Sequence, residues 1–160
     1  RYLSALLQAY FILKPIGIMR EDPFVMKLAS GTRRQPDIQV ILNDNPHTLH
    51  PTYMDGPADI CIEVVSPGSV EHDRGVKFKE YEQNGVREYW IVDPLRNEWL
   101  LYRLNDEGIY MAQHADSDGN YQTTLLPGLV LHVPTLWLKE DEFPNLVQIV
   151  ETVRQMLADA

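Results

Sequence analysis

Residues 58–81 read ADICIEVVSPGSVEHDRGVKFKEY. The run 58–65 is apolar and β-branched apart from Asp59 and Glu63, which predicts a buried strand. An unpaired carboxylate is costly inside a strand. Glu63 must therefore be paired, bound to a metal, or placed at the strand's exposed end. Pro67-Gly68 breaks the chain, and a polar helix over about 70–84 follows. In it Asp73, Lys77 and Tyr81 are spaced four apart and share one face. Gly85 is well placed as the residue just past the helix end. A second buried strand, 88–92, stops at Asp93-Pro94. A helix joining two such strands predicts a parallel crossover unit.

Upstream, Pro36-Asp37 opens another apolar strand, 37–42. Before it come an amphipathic helix over 1–13, with apolar positions 3, 6, 7, 10 and 11, and two short strands, 16–19 and 24–29. Between strands 37–42 and 58–65 the stretch 43–57, with Asn, Asp, Pro and Gly, reads as a long loop. Downstream, 99–104 and 109–113 flank Asn105-Asp106-Glu107-Gly108 and read as a hairpin. Strands over 121–125 and 129–133 and a closing helix over 145–157 complete the chain. The predicted class is mixed α/β (α+β) with a mixed central sheet, in one domain spanning 1–160. The start at Arg1 suggests a chain trimmed at its N-terminus.

At 160 residues the chain can bury a substantial core. No apolar run approaches the roughly 18 residues of a membrane span, and a cytoplasmic setting is expected. Cys61 is the sole cysteine and lies in the apolar strand, so it reads as a small buried hydrophobe. The net charge of −9 argues against a protein that coats nucleic acid through a broad basic surface. The charge is unevenly spread. Residues 105–160 carry nine acids against two bases, or −7, which leaves 1–104 near balance at −2.

Two strand carboxylates and a lysine on the following helix are the parts of a magnesium-dependent nuclease site. Magnesium needs only one or two carboxylates, keeping waters and substrate oxygens for the rest of its shell. Asp37 and Glu63 could ligate it, and Lys77 could supply the cation at the developing negative charge. Each residue has a plainer reading beside this one. Asp37 could be a turn-favouring residue after Pro36, Glu63 a paired structural carboxylate, and Lys77 a solvated helix lysine. Asp73 could pair with Lys77, and Tyr81 could orient Lys77 or simply pack. The five histidines show no zinc spacing, and glycine-rich phosphate motifs are absent.

Four pieces taken together are more specific: QPDI (35–38), EVVSPGS (63–69), DRGVKFKEY (73–81) and GVREYWIVDP (85–94), followed later by LPGL (126–129). With them the chain resembles the Uma-type restriction endonuclease family, a branch of the PD-(D/E)XK, restriction-endonuclease-like nuclease superfamily. The resemblance implies an αβββαβ core and a hydrolase that cleaves DNA with Mg2+, or Mn2+ in its place. It implies Asp37 and Glu63 as the acidic, metal-binding pair. In the wider superfamily the lysine follows the second acid by two residues, where this chain has Val65. The resemblance implies a lysine supplied from the helix instead, which matches Lys77; Lys79 is the competitor, but it lies two residues round the helix. The alternative to an enzyme is a binding or assembly module that keeps the nuclease fold without useful turnover. A homodimer is expected on two grounds. Aromatic residues past Glu88 exceed what a small core needs, and cutting both strands of a duplex suits a two-fold axis.

Overall fold

The structure, a computed structural model, describes residues 1–67 and 71–160, and all their side chains except those of Ser30 and residues 71–73. In chain order its elements are α1 (Tyr2–Leu13), β1 (Gly17–Glu21), β2 (Val25–Lys27), β3 (Arg33–Arg34), β4 (Ile38–Leu42), β5 (Thr48–Leu49), β6 (Tyr53–Asp55) and β7 (Ile60–Val64). There follow α2 (Glu71–Asn84), β8 (Glu88–Asp93), β9 (Glu98–Leu104), β10 (Tyr110–Gln113), β11 (Asn120–Tyr121), β12 (Leu131–His132) and α3 (Leu146–Asp159). They fall into two compact units. One is Gly17–Gln113; the other joins Arg1–Ile16 to His114–Ala160.

The first unit is built on a six-stranded mixed sheet of order β1-β4-β7-β8-β9-β10. Only β7 and β8 run parallel; the other neighbours are antiparallel. The parallel pair is the one joined through α2, because a parallel return needs a crossover longer than a tight turn. Gly85 ends the helix with φ +85°, a conformation that costs glycine little. Side chains alternate across a strand, so Asp37, Gln39 and Ile41 line one face with Cys61, Glu63, Tyr89 and Ile91. Tyr81 of α2 packs in one cluster with Ile41, Cys61, Tyr89 and Ile91, burying the apolar part of this face.

A second sheet, of order β3-β2-β6-β5, takes β2 from the strand expected over 24–29 and its other strands from what reads in the sequence as irregular chain. The stretch expected to be a long loop contains β5 and β6, and β6 pairs in parallel with β2. Met54 and its neighbour Met26 are fully buried in the same cluster as Tyr81, so two thioethers anchor this small sheet to the core.

In the second unit, α1 packs against α3. Asn145 caps α3 by accepting from the Gln148 N–H, and Gln148 accepts from the Asn145 N–H in return. The strands expected over 121–125 and 129–133 shrink to the two-residue pair β11 and β12. Turn bonds take their place, Leu126 N–H to Thr123 carbonyl and Leu129 N–H to Leu126 carbonyl. Pro134 then opens a 3-10 turn over Val133–Trp137. Among the described residues, no helix is long and apolar enough to cross a membrane.

Candidate active site

The register of β4 against β7 puts Ile38 opposite Ile62. Carried one step past the end of β4, the same register sets Asp37 opposite Glu63, and directly opposed residues project to the same face. Asp37 is exposed at the end of its strand. Its Oδ2 accepts the Val64 N–H at 2.7 Å, which fixes the carboxylate against the last turn of the β7 ladder. Its other oxygen remains for a further partner.

Glu63 is tied to α2. Lys77 Nζ donates to Glu63 Oε2 at 2.9 Å. The Tyr81 hydroxyl lies 3.5 Å from Glu63 Oε1, at the outer limit of a hydrogen bond. Lys77 and Tyr81 thus both turn to Glu63, as their spacing of four requires. Lys79 is exposed on the far side of the helix. The side chain of Asp73, the third residue of that stripe, lies outside the described residues, as does that of His72. His50 is held elsewhere, with Nε2 2.8 Å from Asp55 Oδ2.

Burial pushes the Glu63 carboxyl above its ordinary range, opposed by the hydrogen bond and charge of Lys77 and assisted by the charge of Asp37. That last influence places the two carboxylates within electrostatic range of each other. Burial, followed by nearby Cys61 and Glu63, pushes the Tyr81 phenol up as well. It stays protonated and can act only as a hydrogen-bond partner. Cys61 is wholly buried, and burial raises its thiol further, so it is no nucleophile.

Two oxygen-donor carboxylates on adjacent strand ends, one of them exposed, suit a hard cation that keeps several waters. Asp22 is near at the backbone, where its N–H donates to the Asp37 carbonyl at 3.2 Å. Yet no group of three or more His, Cys, Asp or Glu converges among the described residues. The donor set fits magnesium or manganese better than a zinc cage.

Two features escape a reading of the sequence. Arg34 makes a two-pronged pair with Glu80, Nε to Oε2 and Nη2 to Oε1, both at 2.7 Å. This clamp joins β3, the strand that runs into Asp37, to the helix that carries Lys77. Arg74 is half-buried three residues before Lys77, close enough for its charge to act on Tyr89. Nothing in the sequence separates either arginine from ordinary surface charge, because their partners are remote along the chain.

Residues 1–134 match the model of the family Uma2, described as "putative restriction endonuclease". Among solved structures, the chain is similar to a "putative nuclease belonging to DUF820 from Anabaena variabilis ATCC 29413". The two share 15% identity over 84% of this chain and 75% of that one, with a TM-score of 0.69. At that identity the likeness is one of fold. No curated protein matches the chain.

Proposed function

The chain belongs to the Uma2 family, and we propose that it is a metal-dependent endonuclease that hydrolyses phosphodiester bonds in DNA. One observation carries this reading. Asp37, just before β4, accepts through Oδ2 the N–H of Val64, the residue after Glu63 on β7, at 2.7 Å, and Lys77 Nζ reaches Glu63 Oε2 at 2.9 Å. Asp37 is exposed, and Glu63 is partly buried, with desolvation raising its pKa.

A bound Mg2+ or Mn2+ would be held by Asp37 and Glu63, polarising a phosphoryl oxygen and lowering the pKa of a bound water. The chain's own groups do the rest. Asp37 is oriented by the Val64 N–H, so its free oxygen has a fixed direction. Glu63 holds the Lys77 ammonium at the sheet end, where it can stabilise negative charge developing on a phosphate. Tyr81 backs Glu63 from within the core. Water adds across the P–O bond, and the leaving oxygen departs with a proton.

The experiment is a plasmid-nicking assay with magnesium and with manganese. The parent should cleave, and Asp37→Ala and Glu63→Ala should each lose cleavage while keeping the parent's circular dichroism. Cleavage by Glu63→Ala at the parent's rate would sink this reading. A folded parent that binds DNA and never cuts it would leave the fold as a binding module.

A further inference from the structure

Lys27 and Arg33 are direct cross-strand partners on β2 and β3. Directly opposed residues project to the same side. Met26 and Arg34 occupy the other side, where Met26 is fully buried, so the Lys27–Arg33 side faces outward. Tyr53 pairs with Val25 in the register of β2 and β6, and so stands on the outward side too. The Lys27 ammonium sits 3.8 Å over the centre of the Tyr53 ring. His50 stacks on Tyr53 at 4.2 Å between ring centroids and 15° between planes. The outward acid of this sheet, Asp55, is turned onto His50 Nε2 at 2.8 Å. Residues 23–36 contain no acid and three bases, of which Lys27 and Arg33 face outward and Arg34 is paired with Glu80 on the other side, in a chain of net charge −9.

We propose that this outward face docks the nucleic-acid strand flanking the cleavage site, with Lys27 and Arg33 taking neighbouring phosphates. The proposal rests on the nuclease reading above and names a second surface for it. Three arguments favour a polyanion. First, cations concentrated on an acidic protein attract anionic backbone locally, even where the whole molecule does not. Second, Lys27 is already ordered: the Tyr53 ring holds its ammonium, and His50 braces the ring. Less rotamer freedom is then lost on contact than for a free surface lysine. Third, Arg33 precedes Asp37 by only four residues. Even fully extended, that chain spans at most about 14 Å. This equals about four rises of 3.4 Å along a strand, so one short stretch of backbone can meet both places.

The test is fluorescence anisotropy with a labelled duplex oligonucleotide and with its single strand, in EDTA so that nothing is cut. The proteins are the parent, Lys27→Gln/Arg33→Gln, the charge-retaining Lys27→Arg/Arg33→Lys, and the control Lys79→Gln/Arg96→Gln. The neutral pair should bind duplex DNA about tenfold or more weakly at low salt. Its slope of log affinity against log salt should fall by about two, one per phosphate contact. The charge-retaining pair should stay within about twofold of the parent. In cleavage, the neutral pair should raise KM and leave kcat unchanged. Neutral-pair affinity equal to the parent's, or lowered only as far as the control's, overturns the docking face; so does a parent that binds neither form of DNA. If the single strand alone shows the loss, single-stranded substrate replaces duplex and the face stands. Loss of binding by the neutral pair, with no cleavage by any preparation, keeps the face and sinks the nuclease reading. Glu63-dependent cleavage with unchanged KM does the reverse.

Discussion

At the scale of single residues, the site separates two lysines that composition cannot tell apart. Lys77 is half-buried on Glu63, while Lys79 is exposed and turned about 200° from it at 3.6 residues per turn. Lys77→Ala should therefore lower kcat about 100- to 1,000-fold, the scale of one lost donor at developing charge. Lys79→Ala should leave it unchanged. Equal rates for Lys77→Ala and the parent, beside a dead Glu63→Ala, would remove Lys77 from the chemistry and leave the metal site standing. Glu63 also gives stability a pH dependence. Its folded pKa is raised above the ordinary 4.5, chiefly by burial, so the folded chain holds that proton more tightly than the unfolded chain. The stability this contributes is complete below the unfolded value and is lost as pH rises through the folded one. Glu63→Gln removes the dependence. In EDTA, the Tm of Glu63→Gln relative to the parent should thus rise between about pH 4 and about pH 7. A difference that shrinks over that range would mean Lys77 overcompensates burial.

At the scale of elements, Arg34 and Glu80 connect β3 to α2 and so govern where Lys77 hangs. Both are less than a third exposed, and the pair is two-pronged, so it should be worth more than an open surface bridge. A double-mutant cycle with Arg34→Gln and Glu80→Gln should give a coupling of about 1–2 kcal/mol in denaturant unfolding. Arg34→Gln should also lower kcat several-fold without touching a metal ligand. Coupling below about 0.3 kcal/mol would reduce the pair to ornament on the surface. The elements themselves differ in how well the sequence announces them. Strands β4, β7 and β8 are legible because buried strands near a parallel pair read as continuous apolar runs. Helix α2 is legible from its glycine stop and charge spacing. The small sheet is not, because β5 and β6 are two and three residues long and lie among Pro, Asp and Gly. Strand β6 pairs locally with β5 and is tied to the core by non-local pairing with β2, where Met54 meets Met26. Leu125 and Leu129 mislead in the opposite direction. They are apolar and buried, yet the Leu125 N–H donates to the Thr123 hydroxyl and the Leu129 N–H to the Leu126 carbonyl, with no partner strand involved. Asp37 and Glu63 are legible as acids at apolar strands, but their register is a property of the folded sheet.

At the scale of the whole molecule, the structure changes the grounds for expecting self-association. Trp90 and Tyr110 are buried within the protein, and Trp99, Tyr102 and Trp137 are half-buried. The aromatic surplus that suggests a partner surface is thus largely consumed inside the chain. The sheet edge at β10 is also defended, since the Tyr110 N–H donates to Glu82 Oε2 at 2.8 Å instead of waiting for another strand. What remains is the proposed substrate, duplex DNA. A duplex has two antiparallel strands related by two-fold axes, and a homodimer is the simplest object that presents two sites to them. We therefore expect a two-fold homodimer at micromolar concentration, cutting plasmid to linear form with little build-up of nicked circles. Charge makes the expectation sharper. Each copy carries −9, most of it in residues 105–160, so two copies repel at low salt. Added salt screens that repulsion over a Debye length of about 10 Å at 0.1 M. Dimerisation should then tighten with salt, while DNA binding weakens with it. Sedimentation at several salt concentrations reads the first trend and anisotropy the second. A chain that sediments as a monomer at every salt concentration, and that accumulates nicked circles before linear product, would be a single-site nuclease cutting one strand per encounter.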